Sequence, residues 1–180
     1  QQNFIRGLAG LASHGGIAGA LITLYIYHRK FKKSYLRVLD RLVISGALLG
    51  AFIRLGKLMN SEIYGIPSQL PWAFIFSRND DIPRHPAQLY EALFYLIISF
   101  FLFFIWRSQK AIQYSGFLFG LGIFLIFLQR FLIEFLKENQ VQFKEHLAIN
   151  MGQLLSVPLI LTGIFVMVWS VKKNSNKEST

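Results

Sequence analysis

Long apolar runs separated by short polar segments dominate the chain. Five of them approach the roughly 20 residues that an α-helix needs to cross a bilayer: 8–27, 42–59, 89–106, 114–136 and 147–171. The pattern predicts an all-α fold, a polytopic transmembrane helical bundle with about five membrane helices. We expect one transmembrane domain over residues 1–180, ending in a polar tail at 172–180.

Composition supports this interpretation and changes the meaning of the charge. Hydrophobic residues make up 53% of the chain and aromatic residues 16%, which is too apolar for an ordinary soluble domain. The net charge of +10 is compatible with nucleic-acid binding, but the basic residues fall in short clusters between apolar runs. That distribution orients membrane helices, so we expect no nucleic-acid partner.

The distribution of basic residues predicts the orientation in the membrane. The segment between the first two runs carries Arg29, Lys30, Lys32, Lys33, Arg37 and Arg41. Such a segment is expected to face the cytoplasm. Alternation of the helices then places residues 108–113 and the C-terminal tail on the same side, and residues 60–88 and 137–146 on the other.

Ionisable residues inside the apolar runs are costly and therefore indicate function. Polar residues in and beside these runs are predicted to gather in the non-cytoplasmic half of the bundle, with nothing comparable at the cytoplasmic ends: His14, Arg54, Lys57, His85, Gln88, Glu91, Arg130 and Glu134. After Lys57 the helix is expected to unwind at Asn60 into a loop that carries Glu62 and Gly65. The sequence thus predicts one polar site near the outer headgroup level.

Two arginines on different helices suit phosphate binding. Arg54 has no acidic partner in its own helix, and a guanidinium can hold phosphate through two parallel hydrogen bonds. Arg130 and Glu134, at i and i+4, share a helix face and can pair; the pair either serves the site or only neutralises itself. Lys57 either belongs to the site or extends towards the headgroups. The nearest abundant phosphate is a membrane lipid headgroup.

The remaining candidates leave alternatives open. His14 is either a general base or a hydrogen-bonded imidazole at the interface. In the segment from His85 to Glu91, helix capping and headgroup anchoring account for Pro86 and Tyr90, whereas Gln88 and Glu91 are expected to face His85. With no cysteine, no G-x-S-x-G and no zinc-ligand spacing, we expect no metal, no cofactor and no covalent enzyme intermediate. Direct displacement by an external nucleophile fits better.

Five sequence motifs identify a family. They are S-H-G-G at residues 13–16, R-L-G-K-L-M-N-S-E-I-Y-G at 54–65, H-P-A-Q-L-Y-E at 85–91, R-F-L-I-E-F at 130–135 and M-G-Q-L-L-S-V-P at 151–158. In this order, they resemble the prolipoprotein diacylglyceryl transferases of the bacterial inner membrane. The resemblance implies a seven-helix enzyme, of which this chain would supply the last five helices.

The resemblance also implies an activity and a location. Family members transfer the diacylglyceryl group from phosphatidylglycerol to the sulfur of a lipobox cysteine in a prolipoprotein, which forms a thioether and releases glycerol phosphate. The implied location is the inner membrane, with the C-terminus cytoplasmic and the active site towards the periplasm. Phosphatidylglycerol, the prolipoprotein and membrane lipids are the implied partners.

Residue roles follow from the same resemblance. His14, Arg130 and Glu62 are the expected catalytic residues, with His14 matching the essential histidine of the family. Arg54 would hold the lipid phosphate. The other expected contributors to phosphatidylglycerol binding are Lys57, Asn60, Gly65, Glu134, His85, Gln88 and Glu91. Lys57 stands where the family signature has Asn, and Ile126 where many members have Tyr.

Two other functions remain open from the sequence. A relative that binds anionic lipid without catalysis would keep the cations and lose turnover. A channel or transporter would spread polar residues along the bilayer depth, whereas here they are expected on one side.

Overall fold

The computed structural model describes residues 19, 22–30, 34–108, 113–137 and 151–178. Its helices are α1 (residues 22–30), α2 (Tyr35–Met59), α3 (Ala87–Arg107), α4 (Phe117–Ile133) and α5 (Met151–Glu178). A single 3₁₀ turn, Glu134–Leu136, extends α4, and a small hairpin of β1 (Phe74–Ile75) and β2 (Pro83–Arg84) lies in the loop between α2 and α3.

Four segments of the described chain are long and apolar enough to cross a membrane: Tyr35–Met59, Ala87–Arg107, Phe117–Leu136 and Gly152–Lys173. The prediction of a helical membrane bundle is therefore confirmed, and the chain is a multi-pass membrane protein. Most of the first apolar run, residues 8–27, lies outside the described residues.

Small side chains allow the helices to pack closely. The core cluster is formed by Val43, Ala47, Ile98, Leu102 and Leu118. Gly122 of α4 lies against Val43 of α2 and Leu102 of α3, so that a side chain at this position would collide with both. α4 therefore fits between α2 and α3 through a position without a Cβ atom.

A second glycine contact joins α4 to α5. A Cβ atom on Gly163 would lie 2.8 Å from the carbonyl oxygen of Gly120 and 2.8 Å from the amide nitrogen of Phe124. Because both neighbours are backbone atoms, they cannot rotate away. The closeness of these two helices thus depends on glycine.

The buried carboxylate of Asp40 caps α4 from a neighbouring helix. It accepts hydrogen bonds from the amides of Gly116 at 2.7 Å and Phe119 at 2.8 Å, where Gly116 adopts a left-handed conformation with φ of 99°. The first amides of a helix have no partner within it, and Asp40 of α2 supplies one. The sequence predicted no buried polar groups at the ends of the helices that it placed on the cytoplasmic side. Asp40 lies at such an end, so that expectation was wrong.

The loop after α2 is tied to the end of α4. The helix ends at Met59 as the sequence predicted, and Ser61 and Ile63 have positive φ angles of 56° and 58°. Gly65 donates to the carbonyl of His85 at 2.9 Å, and the amide of Ile66 to that of Leu136 at 3.0 Å. These bonds hold the base of the loop beside the ends of α2, α3 and α4.

Candidate active site

Four charged side chains from three parts of the chain meet at the end of the bundle where α2 and α4 end and α3 begins. Glu91 of α3 is completely buried; its Oε2 lies 3.3 Å from Nε of Arg54 and its Oε1 2.8 Å from Nζ of Lys137. Lys137 also lies 3.2 Å from Oε2 of Glu134. Because a buried charge is tolerated only when it is paired, each member of the network depends on the others.

The antiparallel arrangement of α2 and α3 creates this meeting point. Arg54 lies in the last two turns of α2 and Glu91 in the first two turns of α3. One turn before Glu91, the buried amide of Gln88 donates to the carbonyl oxygen of Glu62 at 2.6 Å. The start of α3 therefore holds both the arginine and the loop that follows it.

The loop places the signature residues Asn60, Glu62 and Gly65 beside the network. The amide of Asn60 continues the helical bonding to Gly56, while the side chains of Asn60 and Glu62 are exposed. Gly65 is buried, and a Cβ atom there would lie 2.7 Å from His85 and from the carbonyl oxygen of Leu136. Only glycine fits at this position.

Lys57 lies one turn beyond Arg54 and is half-buried. Its charge interacts with those of Arg54, Glu62, Glu91 and Lys137, yet it forms no close ion pair within the described part of the chain. Lys57 therefore adds positive charge to the network without being neutralised by it.

The predicted pairing of Arg130 with Glu134 is wrong. α4 ends at Ile133, and Glu134 begins the 3₁₀ turn. The amide of Glu134 still bonds to the carbonyl of Arg130, but its carboxylate lies 3.2 Å from Nζ of Lys137 and pairs with that cation instead. Arg130 is half-buried near the same end of α4 and has no ion pair among the described residues.

His85 also has a different neighbour from the one expected. Its Nδ1 lies 3.3 Å from the hydroxyl of Tyr90, whereas Gln88 and Glu91 turn towards Glu62 and Arg54. The reason is that Pro86 immediately precedes α3, so His85 lies before the helix and does not follow its spacing. His14 lies outside the described residues.

Two polar residues of this end were missed in the sequence. Lys137 is the first residue of the predicted loop 137–146, and its spacing of three from Glu134, which suits an ion pair, was not used. Gln129 was not considered; it is buried on the face of α4 that also carries Gly122 and Ile133. Nothing in the local sequence distinguishes a buried Gln129 from one facing lipid headgroups.

Buried polar atoms without hydrogen bonds concentrate here. In the described part of the chain they are Oε1 of Gln88, Oε2 of Glu91 and both amide atoms of Gln129. Oε2 of Glu91 is close to Arg54 but not aligned for a hydrogen bond. Such atoms are costly unless something satisfies them, which favours a polar ligand at this end.

Among the described residues, no group of three His, Cys, Asp or Glu side chains is arranged to hold a metal ion. The available chemistry of the described residues is that of guanidinium and ammonium donors beside carboxylates, which suits an anionic ligand.

Comparisons with known proteins agree on one family. The family model for prolipoprotein diacylglyceryl transferase matches residues 3–169. The phosphatidylglycerol–prolipoprotein diacylglyceryl transferase of Bacteroides fragilis is 47% identical over 171 residues, which cover 95% of this chain and 62% of that protein. The enzyme of the same name from Tolumonas auensis is 45% identical over 92% of this chain and 64% of its own length. The chain thus spans somewhat less than two thirds of these relatives.

Proposed function

The chain belongs to the prolipoprotein diacylglyceryl transferase family, and on that premise we propose that it transfers a diacylglyceryl group from phosphatidylglycerol to the lipobox cysteine of a prolipoprotein. The observation that carries the proposal is the cationic network around Glu91. Arg54, Lys57, Arg130 and Lys137 outnumber the carboxylates Glu62, Glu91 and Glu134 by one at this end of the bundle. That excess suits a phosphate anion.

Arg54 is the proposed phosphate ligand. Its Nε lies 3.3 Å from Oε2 of Glu91, and Arg54 makes no hydrogen bond in the described part of the chain. Its terminal nitrogens are thus free to form the paired hydrogen bonds that guanidinium makes with phosphate. Glu91 pairs with the guanidinium through its Nε, and Gln88 fixes the loop that carries Glu62.

The reaction requires a thiol, a base and a stabilised leaving group. The cysteine sulfur forms a bond to the glyceryl carbon, the bond from that carbon to the phosphate oxygen breaks, and glycerol phosphate leaves with both bonding electrons. His14 takes the thiol proton. Arg54 and Arg130 stabilise the negative charge that grows on the leaving phosphate, with Lys57 beside them.

The remaining signature residues shape the site. Gly65 allows the loop to approach His85 and Leu136, while Asn60 and Glu62 present exposed side chains beside Lys57. Glu134 holds Lys137, and His85 supports the loop through Tyr90. We assign these residues to binding the lipid headgroup, with Glu62 also contributing to catalysis.

The proposed setting is the bacterial inner membrane. Basic residues flank the opposite ends of the helices, including Arg37, Arg41 and Arg107, and this distribution supports a cytoplasmic location for those ends. The C-terminus is then cytoplasmic and the site faces the periplasm, where it meets phosphatidylglycerol and the prolipoprotein.

Reconstitution tests the proposal. The full-length protein, in vesicles containing phosphatidylglycerol, should convert a lipobox peptide to its thioether. Arg54→Ala and Arg130→Ala should each lower the rate by about 100-fold or more, as the loss of a donor to developing charge does. Lys173→Ala is the control, because this cation lies over Trp169 at the other end of α5. Unchanged thioether formation in either arginine variant would refute the assigned roles.

The same assay addresses the non-catalytic alternative. A lipid-binding relative would bind phosphatidylglycerol without forming a thioether, and Lys57→Asn would restore turnover if the lysine had displaced a required amide. Turnover by the unaltered protein eliminates this alternative.

A further inference from the structure

We propose that the loop between α2 and α3 inserts its apolar side chains into the lipid leaflet at the site end of the bundle. The inserted side chains belong to residues 66–75 and to Ile82, while the turn of the β1–β2 hairpin that carries Arg78 and Asp81 stays in water. The proposal concerns how this loop meets the membrane, and it does not depend on the chemistry of the site.

The outer surface of this loop is apolar. Six large side chains are exposed: Ile66, Leu70, Trp72, Phe74, Ile75 and Ile82, with Trp72 at 55% and Ile75 at 57%. Concentrated exposure of this kind marks a surface that contacts another apolar phase. From Ile66 to Ser77 the chain carries no Asp, Glu, Lys or Arg, so no charge opposes entry into lipid.

The inside of the loop is partly polar, the reverse of a water-soluble segment. Arg84 is 5% exposed, and its Nη2 donates to Oδ2 of Asp80 at 2.6 Å. Its guanidinium also stacks on Tyr64, 4.7 Å from the ring centroid. This hydrogen bond lowers the pKa of Asp80, so the carboxylate stays ionised at neutral pH. The hairpin is thus held by an ion pair whose arginine is buried inside the loop.

Trp72 connects the loop to the lipid-facing surface of α3. Its indole nitrogen donates to the hydroxyl of Tyr90 at 2.9 Å. Half-buried Tyr90 is followed along α3 by a stripe of exposed residues, Leu93, Phe94, Ile97, Phe101 and Phe104. In a spanning helix such a stripe meets the acyl chains.

This continuity identifies the partner as lipid. Tryptophan and tyrosine concentrate where acyl chains meet headgroups, and the Trp72–Tyr90 pair lies where α3 begins. Trp72 extends the apolar stripe beyond the end of the helix. The loop then follows the membrane surface from that point, and Arg78 and Asp81 mark the part that remains in water.

Site-directed labelling tests the insertion. The full-length protein should carry a single nitroxide-labelled cysteine at Ile75→Cys, with a second variant at Ile82→Cys. The 180 residues contain no cysteine, and any cysteine elsewhere in the chain is replaced by serine. Arg78→Cys, in the same loop, is the matched control. Collision of the label with oxygen, which concentrates in lipid, is compared with collision with a water-soluble nickel chelate in phosphatidylglycerol-containing vesicles.

We expect labels at 75 and 82 to favour oxygen over the nickel chelate several-fold more than the label at 78. Two results would overturn the proposal. Equal access of the chelate to positions 75 and 78 would place the loop in water. Protection of position 75 from both reagents would mean that protein, and not lipid, covers it. Variants that lose the unfolding transition of the parent protein are replaced by the second position.

Discussion

Glu91 is the residue on which the other charges of the site depend. Its carboxylate is fully buried and approaches both Arg54 and Lys137, so it compensates two cations that are themselves almost shielded from solvent. Replacing it by an isosteric neutral group leaves both cations without their main counter-charge.

We therefore expect Glu91→Gln to destabilise the protein by about 3–5 kcal/mol, the usual cost of breaking a buried pair. Denaturant unfolding in mixed detergent micelles measures the change. Asp81→Asn removes an exposed loop carboxylate and should stay within about 0.5 kcal/mol of the parent. Equal stability of the two variants would show that the network contributes nothing.

Gln129 is a buried polar residue whose removal should stabilise the protein, the opposite of the effect expected at Glu91. Neither of its amide atoms has a hydrogen bond although the side chain is buried. Gln129→Leu removes that unsatisfied group and should stabilise the ligand-free protein by about 1–3 kcal/mol. Gln88→Leu breaks the bond to Glu62 and should destabilise it. A loss of stability in Gln129→Leu, measured in the same way, would contradict the assignment.

At the scale of elements, α4 depends on a residue of α2 for its beginning. Asp40 satisfies two amides at the start of α4, and no residue near Gly116 in sequence performs that role. We expect Asp40→Ala to destabilise the protein by about 1–2 kcal/mol, as loss of an N-cap does. Asp40→Asn keeps one acceptor and should lose less. Thermal unfolding of the three proteins gives the order, and equal losses would argue against capping.

Most elements could be predicted from the sequence, because a membrane helix needs only a long apolar run. The hairpin could not, since Phe74–Ile75 and Pro83–Arg84 are two-residue strands too short for any periodicity. The predicted run ends at Leu136, as the spanning segment does, but the 3₁₀ winding of its last three residues is too short to leave a pattern in the sequence.

At the scale of the whole molecule, the distance between α4 and α5 is set by glycine. A side chain on Gly163 would meet only backbone atoms of α4 at the closest positions. Gly163→Ala should therefore destabilise the protein by about 1–3 kcal/mol through overpacking. Gly46→Ala is the matched control, since nothing lies within 4 Å of its Cβ position; it should be neutral or gain up to about 1 kcal/mol. Denaturant unfolding checks both.

The site shows how far sequence reasoning reaches. The concentration of Arg54, Lys57 and Glu91 at one end followed from the depth of each residue in its helix. Which partner each charge takes did not follow, because Lys137 reaches Glu91 across 46 positions of sequence. Asp40 could not be predicted as a cap for the same reason, because it lies 76 residues before Gly116 in sequence. Its role appears only when α2 and α4 are side by side.

Asp40 has a consequence for how the protein is made. Gly116, whose amide it binds, follows it by 76 residues, which a ribosome adds in about 4–15 s at roughly 5–20 residues per second. During that interval no amide of α4 is present to donate to the carboxylate. The carboxylate remains hydrated at the headgroup level, because an unpaired charge is costly in hydrocarbon. We therefore expect α2 to reach its final depth only after α4 has left the translocon and packed beside it.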